Sequence, residues 1–447
     1  MQPKKSISFL VLGIFLCSML FISPAAQAGQ GYGSCLMQGD YGPPVTALQQ
    51  QLKQLGYFQT TPTGYFGPVT AAAVTGLQAG HGLTADGIAG PLTEELIQKL
   101  LASPTPAGNN TASSGNTRTV MGFYTQDEGA IPSSYADLVN HGNALTSIAP
   151  FWYQVDVSGS GSLHTLDGVS NQDAEQVVAT AHREKVKALA LIYNMLYDSG
   201  ADGRDVMHRV LVNPQNRRAL VMNIYNLLRS RGFDGVEIDT ENIYPQDGQL
   251  FSQFLTELGA QLHPAGYVIS VALPAKLSNQ SSGSWSDSFD YAAVGSLADQ
   301  VVVMAYDEHG AYGGAGPVAS IAWVEKIIRY TLTCVPAQKV LLGMPAYGFD
   351  WNYSGGFPRY LSFALAAQTA NRYGAAINWD NNAQAPYFGY TDENGSWHQV
   401  WFENASSWAG KLDLVNKYNL GGIAIWRLGM EDPAVWPLLG EKFTIKK

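Results

Sequence analysis

Eight apolar, β-prone runs alternate with helical stretches from Arg118 to the C-terminus, and this alternation limits the fold more than any other feature. The runs are 119–125, 145–156, 186–194, 233–241, 267–275, 299–307, 339–348 and 421–429. Strands separated by helices form parallel sheets, because each crossover must carry the chain back before the next strand begins. Eight such units over about 330 residues predict an α/β fold, a (β/α)8 TIM barrel with its active groups at the carboxyl ends of the strands. The interval between strands seven and eight, about 351–420, is too long for one crossover. It is expected to hold a small α+β insertion, in which "APYFGYTDENGSWHQVWFE" reads as a hairpin turning at Glu393-Asn394-Gly395.

The fourth run, "RGFDGVEIDTEN", does not suit a buried strand. It carries Asp234, Glu237, Asp239 and Glu241 among β-formers, where desolvation makes each charge costly. Alternation places Glu237, Asp239 and Glu241 on one face and Asp234 on the other. Neighbours in that trio would lie roughly 6 to 7 Å apart. Burial and mutual repulsion should both raise their pKa values, which is how a general acid is made at neutral pH. Asp234 points away from the trio and reads as structural. A solvated acidic edge strand is the alternative, but Val236 and Ile238 on the opposite face argue for burial there too.

Upstream, residues 35–101 form a separate unit with an internal echo. "TGYFGPVTAAAV" is repeated loosely by "DGIAGPLTEELI", each with Gly at a turn and Gly-Pro opening a helix. Between them, Val45, Leu48, Leu52 and Leu55 recur at helical spacing. The unit reads as a small helical bundle with little core to support chemistry. Residues 102–117, "ASPTPAGNNTASSGNT", read as a linker. At the N-terminus, Lys4 and Lys5, the apolar stretch Ile7–Ile22 and Ala26-Gln27-Ala28 read as a signal peptide over 1–28, with a mature start near Gly29. No membrane span is expected, and the protein should be secreted.

The formal net charge is −10, and loss of the leader lysines makes the mature chain more negative still. Nucleic acid and anionic membranes are therefore disfavoured as partners. Aromatic content of 11% suits glycans, which are bound by stacking and hydrogen bonds. Cys17 leaves with the leader, so only Cys35 and Cys334 remain; a disulfide and two separate thiols are both open. No Cys/His cluster has metal-ligand spacing, and neither metal nor cofactor is expected.

The motifs "DGVEIDTE", "MAYDEHGAYGGAGPVASIAWVE", "APFWYQVD" and "GGIAIWRLG" together resemble glycoside hydrolase family 18, in its spore-cortex-lytic and germination-associated branch. The 35–101 unit, with "LQQQLKQLGY" and "GYFGPVT", resembles the peptidoglycan-binding type 1 domain, with Thr63 where that family usually has Asp. Two departures stand out in the barrel. Glu237 replaces the usual middle Asp or Asn of the acidic signature, and strand three reads "LIYN" where chitinases have Ser-x-Gly-Gly.

The resemblance implies substrate-assisted, retaining hydrolysis at N-acetylglucosamine. Glu241 would be the general acid and then the base. Asp239 would orient the sugar's 2-acetamido group as it attacks C1, and Tyr306 would hydrogen-bond the acetamido carbonyl. Trp426 would floor the reacting ring and Asp307 would contact the sugar, while Glu237 would either tune Asp239 or be structural. Tyr193, Asn194, Trp152 and Tyr347, near strand ends, would line the cleft, whereas His309 reads as a loop residue. The implied protein is a secreted, monomeric peptidoglycan hydrolase of wall or spore cortex. A chitinase, an endo-β-N-acetylglucosaminidase on other glycans and a non-catalytic glycan-binding protein stand as alternatives.

Overall fold

The computed structural model describes residues 35–55, 57–58, 62–81, 83–101, 116–126, 133–196, 201–241, 243–279 and 285–447. The leader, the cleavage site and nearly all of the 102–117 stretch lie outside these residues. Eight strands close a parallel barrel: β1 (Thr117–Tyr124), β2 (Ser147–Pro150), β3 (Lys187–Tyr193), β4 (Gly235–Asp239), β5 (Val268–Pro274), β6 (Gln300–Met304), β7 (Val340–Pro345) and β8 (Gly422–Trp426). Each pairs in parallel with its sequence neighbours, and β8 closes the ring onto β1, Thr119 to Gly422 and Gly122 to Ile425.

The alternation along each strand divides the core into two layers. Val236 and Ile238 face outward into the cluster shared with the surrounding helices. Leu189, Leu191 and Tyr193 of β3 face inward with Val302, Met304, Leu341 and Ala424. In register, Leu191 lies beside Glu237 and Tyr193 beside Asp239, so both acids of β4 belong to the inner face. Gly235 lets β4 approach β5 closely, because a Cβ there would stand 2.2 Å from the Val268 carbonyl oxygen. The helix Pro214–Arg231 ends on Gly232 in the left-handed region (φ 73°), which turns the chain into β4.

Strands β2 to β8 are shorter than their sequence runs, and three of them end in ways that bear on the site. The run 145–156 stops at Pro150: the Trp152 N–H donates back to the Pro150 carbonyl at 3.0 Å. Tyr153–Val155 then starts a separate hairpin with Leu163–Thr165. The run 299–307 stops at Met304, where the Ala305 N–H donates to Val303 O at 2.8 Å. The run 233–241 stops at Asp239, so Glu241 lies past the strand and strict alternation does not extend to it.

The insertion is a five-stranded antiparallel sheet in the order 359–362, 347–352, 397–401, 385–391 and 378–380. It begins at Tyr347, directly after β7, earlier than 351. The expected hairpin is present: Gly395 takes φ 80° and its N–H donates to Asp392 O at 3.1 Å.

The N-terminal unit holds helices α1 (Pro43–Gln54), α2 (Pro68–Gly80) and α3 (Pro91–Leu101), each with Pro in its first turn. The sequence echo becomes a structural one. Buried Gln49 accepts from the Thr63 and Gly64 N–H groups and donates to Tyr65 O and Thr70 Oγ1. Buried Gln78 repeats this, accepting from Gly87 N–H and donating to Ile88 O and Thr93 Oγ1. Gly64 and Gly87 both take positive φ, 73° and 75°. Asp86 adds a further acceptor for Gln78 at 2.8 Å, where the first repeat has Thr63 Oγ1 at 3.5 Å. That is the structural consequence of the Thr63 departure.

Candidate active site

The carboxyl ends of the barrel strands bring together most of the residues singled out in the sequence. Asp239 ends β4 on its inner face, buried beside Glu237. Glu237 is fully buried, its carboxyl set against Ser270, its neighbour on β5, and no ion pair to it is present among the described residues. Burial pushes the Glu237 carboxyl up to about 8, with Ser270 opposing the shift. Glu237 therefore keeps its proton through neutral pH. Burial also raises Asp239, and the adjacent Glu237 carboxyl adds to it. Glu241, two residues further on, is held well above the usual carboxylate range by burial first, then by the charges of Asp239 and Asp307. These carboxyls form one electrostatic unit, with no ion pair to any of them among the described residues.

Tyr306 stands two residues past β6. Its phenol is raised by burial and then by the charges of Asp239, Glu241 and Asp307, in that order. Gly343 of β7 makes room for it, since a Cβ there would meet the Tyr306 ring at 2.8 Å. Asp307 takes a left-handed backbone (φ 62°), sparsely populated for a residue with a side chain and common at functional sites. The residue is exposed, but its carboxyl turns inward and accepts from the buried Tyr347 hydroxyl at 2.5 Å.

Trp426 ends β8 and is partly buried. It packs edge-on against Phe123 (centroids 5.2 Å apart) and Phe151 (5.8 Å). Phe151 in turn stacks on Tyr193 at 4.1 Å. These rings build an apolar wall beside the acids.

Other expectations need correction. Trp152 is fully buried in the layer between sheet and helices, edge-on to Tyr124 at 5.6 Å. The inward residue is its neighbour Phe151, because the chain turns at Pro150 and shifts the alternation. Asn194 is buried, and its amide donates to Gly203 O at 3.3 Å, which makes it a loop anchor. Asp234 is structural as expected: its carboxylate accepts from Ala188 N–H at 2.8 Å and lies 2.9 Å from His182 Nε2. Phe123, Phe151 and Tyr360, whose ring lies 4.8 Å from that of Tyr347, were not legible as site residues. In sequence, an aromatic on a strand looks the same whether it faces the barrel mouth or the core.

Comparison with known proteins gives this arrangement a family. Residues 119–431 match the family description "Glycosyl hydrolases family 18". The chain belongs to glycosyl hydrolase family 18. Residues 41–97 match a peptidoglycan binding domain. The family 18 chain is 33% identical over 314 residues to the cortical fragment-lytic enzyme of Bacillus anthracis, covering 68% of this chain and 71% of that one. It is 38% identical over 250 residues to the enzyme of the same name from Bacillus subtilis, covering 54% and 58%. The crystal structure of the Bacillus cereus spore cortex-lytic enzyme SleL shares the fold, with a TM-score of 0.67 at 24% identity over 94% of this chain and 88% of that one. A chitinase from Chromobacterium violaceum gives the same TM-score at 29% identity, over 73% and 99%. The protein is a glycoside hydrolase with a peptidoglycan-binding module.

Proposed function

We propose that this family 18 enzyme is a secreted N-acetylglucosaminidase that cleaves the glycan strands of bacterial wall or spore cortex. The observation that carries the reading is the run of acids at the end of β4, Glu237 and Asp239 buried and Glu241 partly buried, each raised by burial, with the Tyr306 phenol raised by burial and by the charges of Asp239 and Glu241. A carboxyl held above its ordinary range keeps its proton to higher pH than a free one and can deliver it. Glu241, nearest to solvent, is the donor to the glycosidic oxygen. The substrate's 2-acetamido oxygen attacks C1 as that bond breaks, giving an oxazolinium intermediate. Asp239, buried and without a cation, takes its charge balance from the positive acetamido group and orients its N–H. Tyr306 donates to the acetamido oxygen, and Trp426 lies against the ring's apolar face. Glu241, now ionised, removes a proton from the water that opens the intermediate, so configuration is retained.

The relatives named for cortical fragments and cortex lysis support a peptidoglycan substrate, as does the 41–97 module. The chemistry selects the bond. Substrate assistance needs a free 2-acetamido group, which N-acetylglucosamine carries and a muramic lactam, with its nitrogen tied into a ring, lacks. Digests of purified cortex and wall, reduced with borohydride and read by mass spectrometry, should give fragments ending in reduced N-acetylglucosamine. Reduced muramic acid as the main terminus would make the enzyme a muramidase. Activity on chitin oligomers but on neither wall preparation would make it a chitinase.

A further inference from the structure

Cys35 and Cys334 are separated by 299 positions in sequence, yet their Sγ atoms lie 2.9 Å apart. Both residues belong to the same compact unit, Tyr32–Lys447. Each is set in ordered backbone. Next to Cys35, Leu36 and Ala89 exchange N–H to carbonyl bonds at 3.0 and 2.8 Å. On the other side, the Cys334 and Val335 N–H groups both donate to Thr331 O, closing the turn after the helix Ile321–Thr331.

The surfaces around the two sulfurs also fit closely. A Cβ on Gly90 would stand 1.7 Å from the Thr333 carbonyl oxygen, and Leu92 packs onto the barrel's outer core. A disulfide needs a sulfur separation of about 2.04 Å, so closing this pair takes a movement of roughly 0.9 Å. No third cysteine competes after residue 28.

We propose that Cys35 and Cys334 form a disulfide that ties the peptidoglycan-binding module to the flank of the catalytic barrel. The Cys35 thiol donates toward Cys334, which holds the Cys334 thiol below its ordinary range and pushes that of Cys35 up. Cys334, the sulfur that accepts the Cys35 S–H, attacks first as its thiolate. It displaces one half of a small-molecule disulfide such as oxidised glutathione, forming a mixed disulfide and releasing one thiolate. Cys35 then loses its proton to solvent and attacks the Cys334 sulfur, expelling the second thiolate. Two protein thiols give up two protons and two electrons, and the small disulfide becomes two thiols. A cavity of about 660 Å³, lined by Cys35, Lys276, Asp290, Tyr330 and Cys334 among others, leads the oxidant to the pair. The bond fixes how the module presents bound glycan to the barrel, whereas a module held by residues 102–117 alone would have its reach set by that segment.

The test uses the full chain with a specific protease site placed within residues 102–117, equilibrated with oxidised glutathione. After cleavage, module and barrel should run as one band without reductant and as two with it, and peptide mapping should find Cys35 linked to Cys334. Cys35→Ser should separate into two bands without reductant. Separation of the unsubstituted protein without reductant would overturn the proposal, as would two free or two glutathione-capped thiols after unfolding. The unsubstituted protein alone decides the outcome, whether or not the serine variant folds.

Discussion

Two regions of this molecule treat their buried acids in opposite ways. In the insertion and its exit, each has partners. Asp350 receives Arg359 at 3.1 Å and the Tyr390 hydroxyl at 2.7 Å, with His398 at 2.8 Å. Glu403, fully buried, receives Lys411 Nζ at 2.7 Å and Ser407 Oγ at 2.6 Å. At the barrel mouth, Glu237 and Asp239 are just as buried, and no ion pair is recorded for either among the described residues. An uncompensated buried carboxyl costs stability, and such groups cluster where a reaction needs a displaced pKa. The paired acids hold the fold; on the proposed mechanism, the acids without an ion pair act on the substrate.

The largest expected effect is on catalysis. Asp239→Asn keeps the shape but removes the charge that balances the acetamido group, and turnover should fall about a hundredfold or more. The same change removes a charge that raises Glu241. The alkaline limb of the pH–rate profile should therefore move to lower pH, because the ionised form of Glu241 is less opposed. Steady-state kinetics across pH on a soluble oligosaccharide would show both; an unmoved limb would uncouple the two acids.

Next in size is a stability effect from the other region. Glu403→Gln leaves Lys411 buried without its anion, and breaking such a pair typically costs about 3 to 5 kcal/mol. Urea unfolding should show this loss while turnover of the folded variant stays within about twofold, since the Glu403 carboxylate is buried against Lys411 and Ser407. A variant as stable as the parent would erase the contrast between the two regions.

The smallest effect is at Glu237. Its carboxyl titrates near 8 when folded, against an ordinary value of 4.5. The folded state therefore binds the proton more tightly than the unfolded one. That stability is fully present below about pH 4.5 and is lost as pH rises through about 8. Glu237→Gln cannot ionise, so its melting temperature should decline less than the parent's across that interval. Its activity at neutral pH should change by no more than about threefold, because Gln resembles the protonated acid already there. Parallel melting curves would mean that Glu237 is ionised in the folded protein.

Much of this was legible in the sequence, for physical reasons that also mark where legibility ends. Alternation fixed Val236 and Ile238 outward and Glu237 and Asp239 inward, because a strand has only two faces. Both the alternation and the family motif singled out Glu241, but its position past the strand end is set by the loop rather than by the pleat. Trp152 was misread because a turn at Pro150 shifts the alternation by one, and backbone hydrogen bonding beyond a strand end leaves little trace in residue type. The Gln49 and Gln78 clamps were visible only as a repeat of Gly and Pro, since an amide's partners depend on the folded turn. The left-handed backbone of Asp307 left no signal at all.

The measurement that reaches the central claim most directly compares two substrates for Glu241→Gln. One is a natural N-acetylglucosamine-linked glycan, whose leaving alcohol must be protonated. The other is an N-acetylglucosaminide of a strongly acidic phenol, which departs without a proton. If Glu241 is the acid, turnover of the glycan should fall by a hundredfold or more, while bond cleavage in the aryl substrate, read as the pre-steady-state release of the phenol, should fall by about tenfold or less. Equal losses on both substrates, or a variant that keeps most of its activity on the glycan, would contradict the assignment.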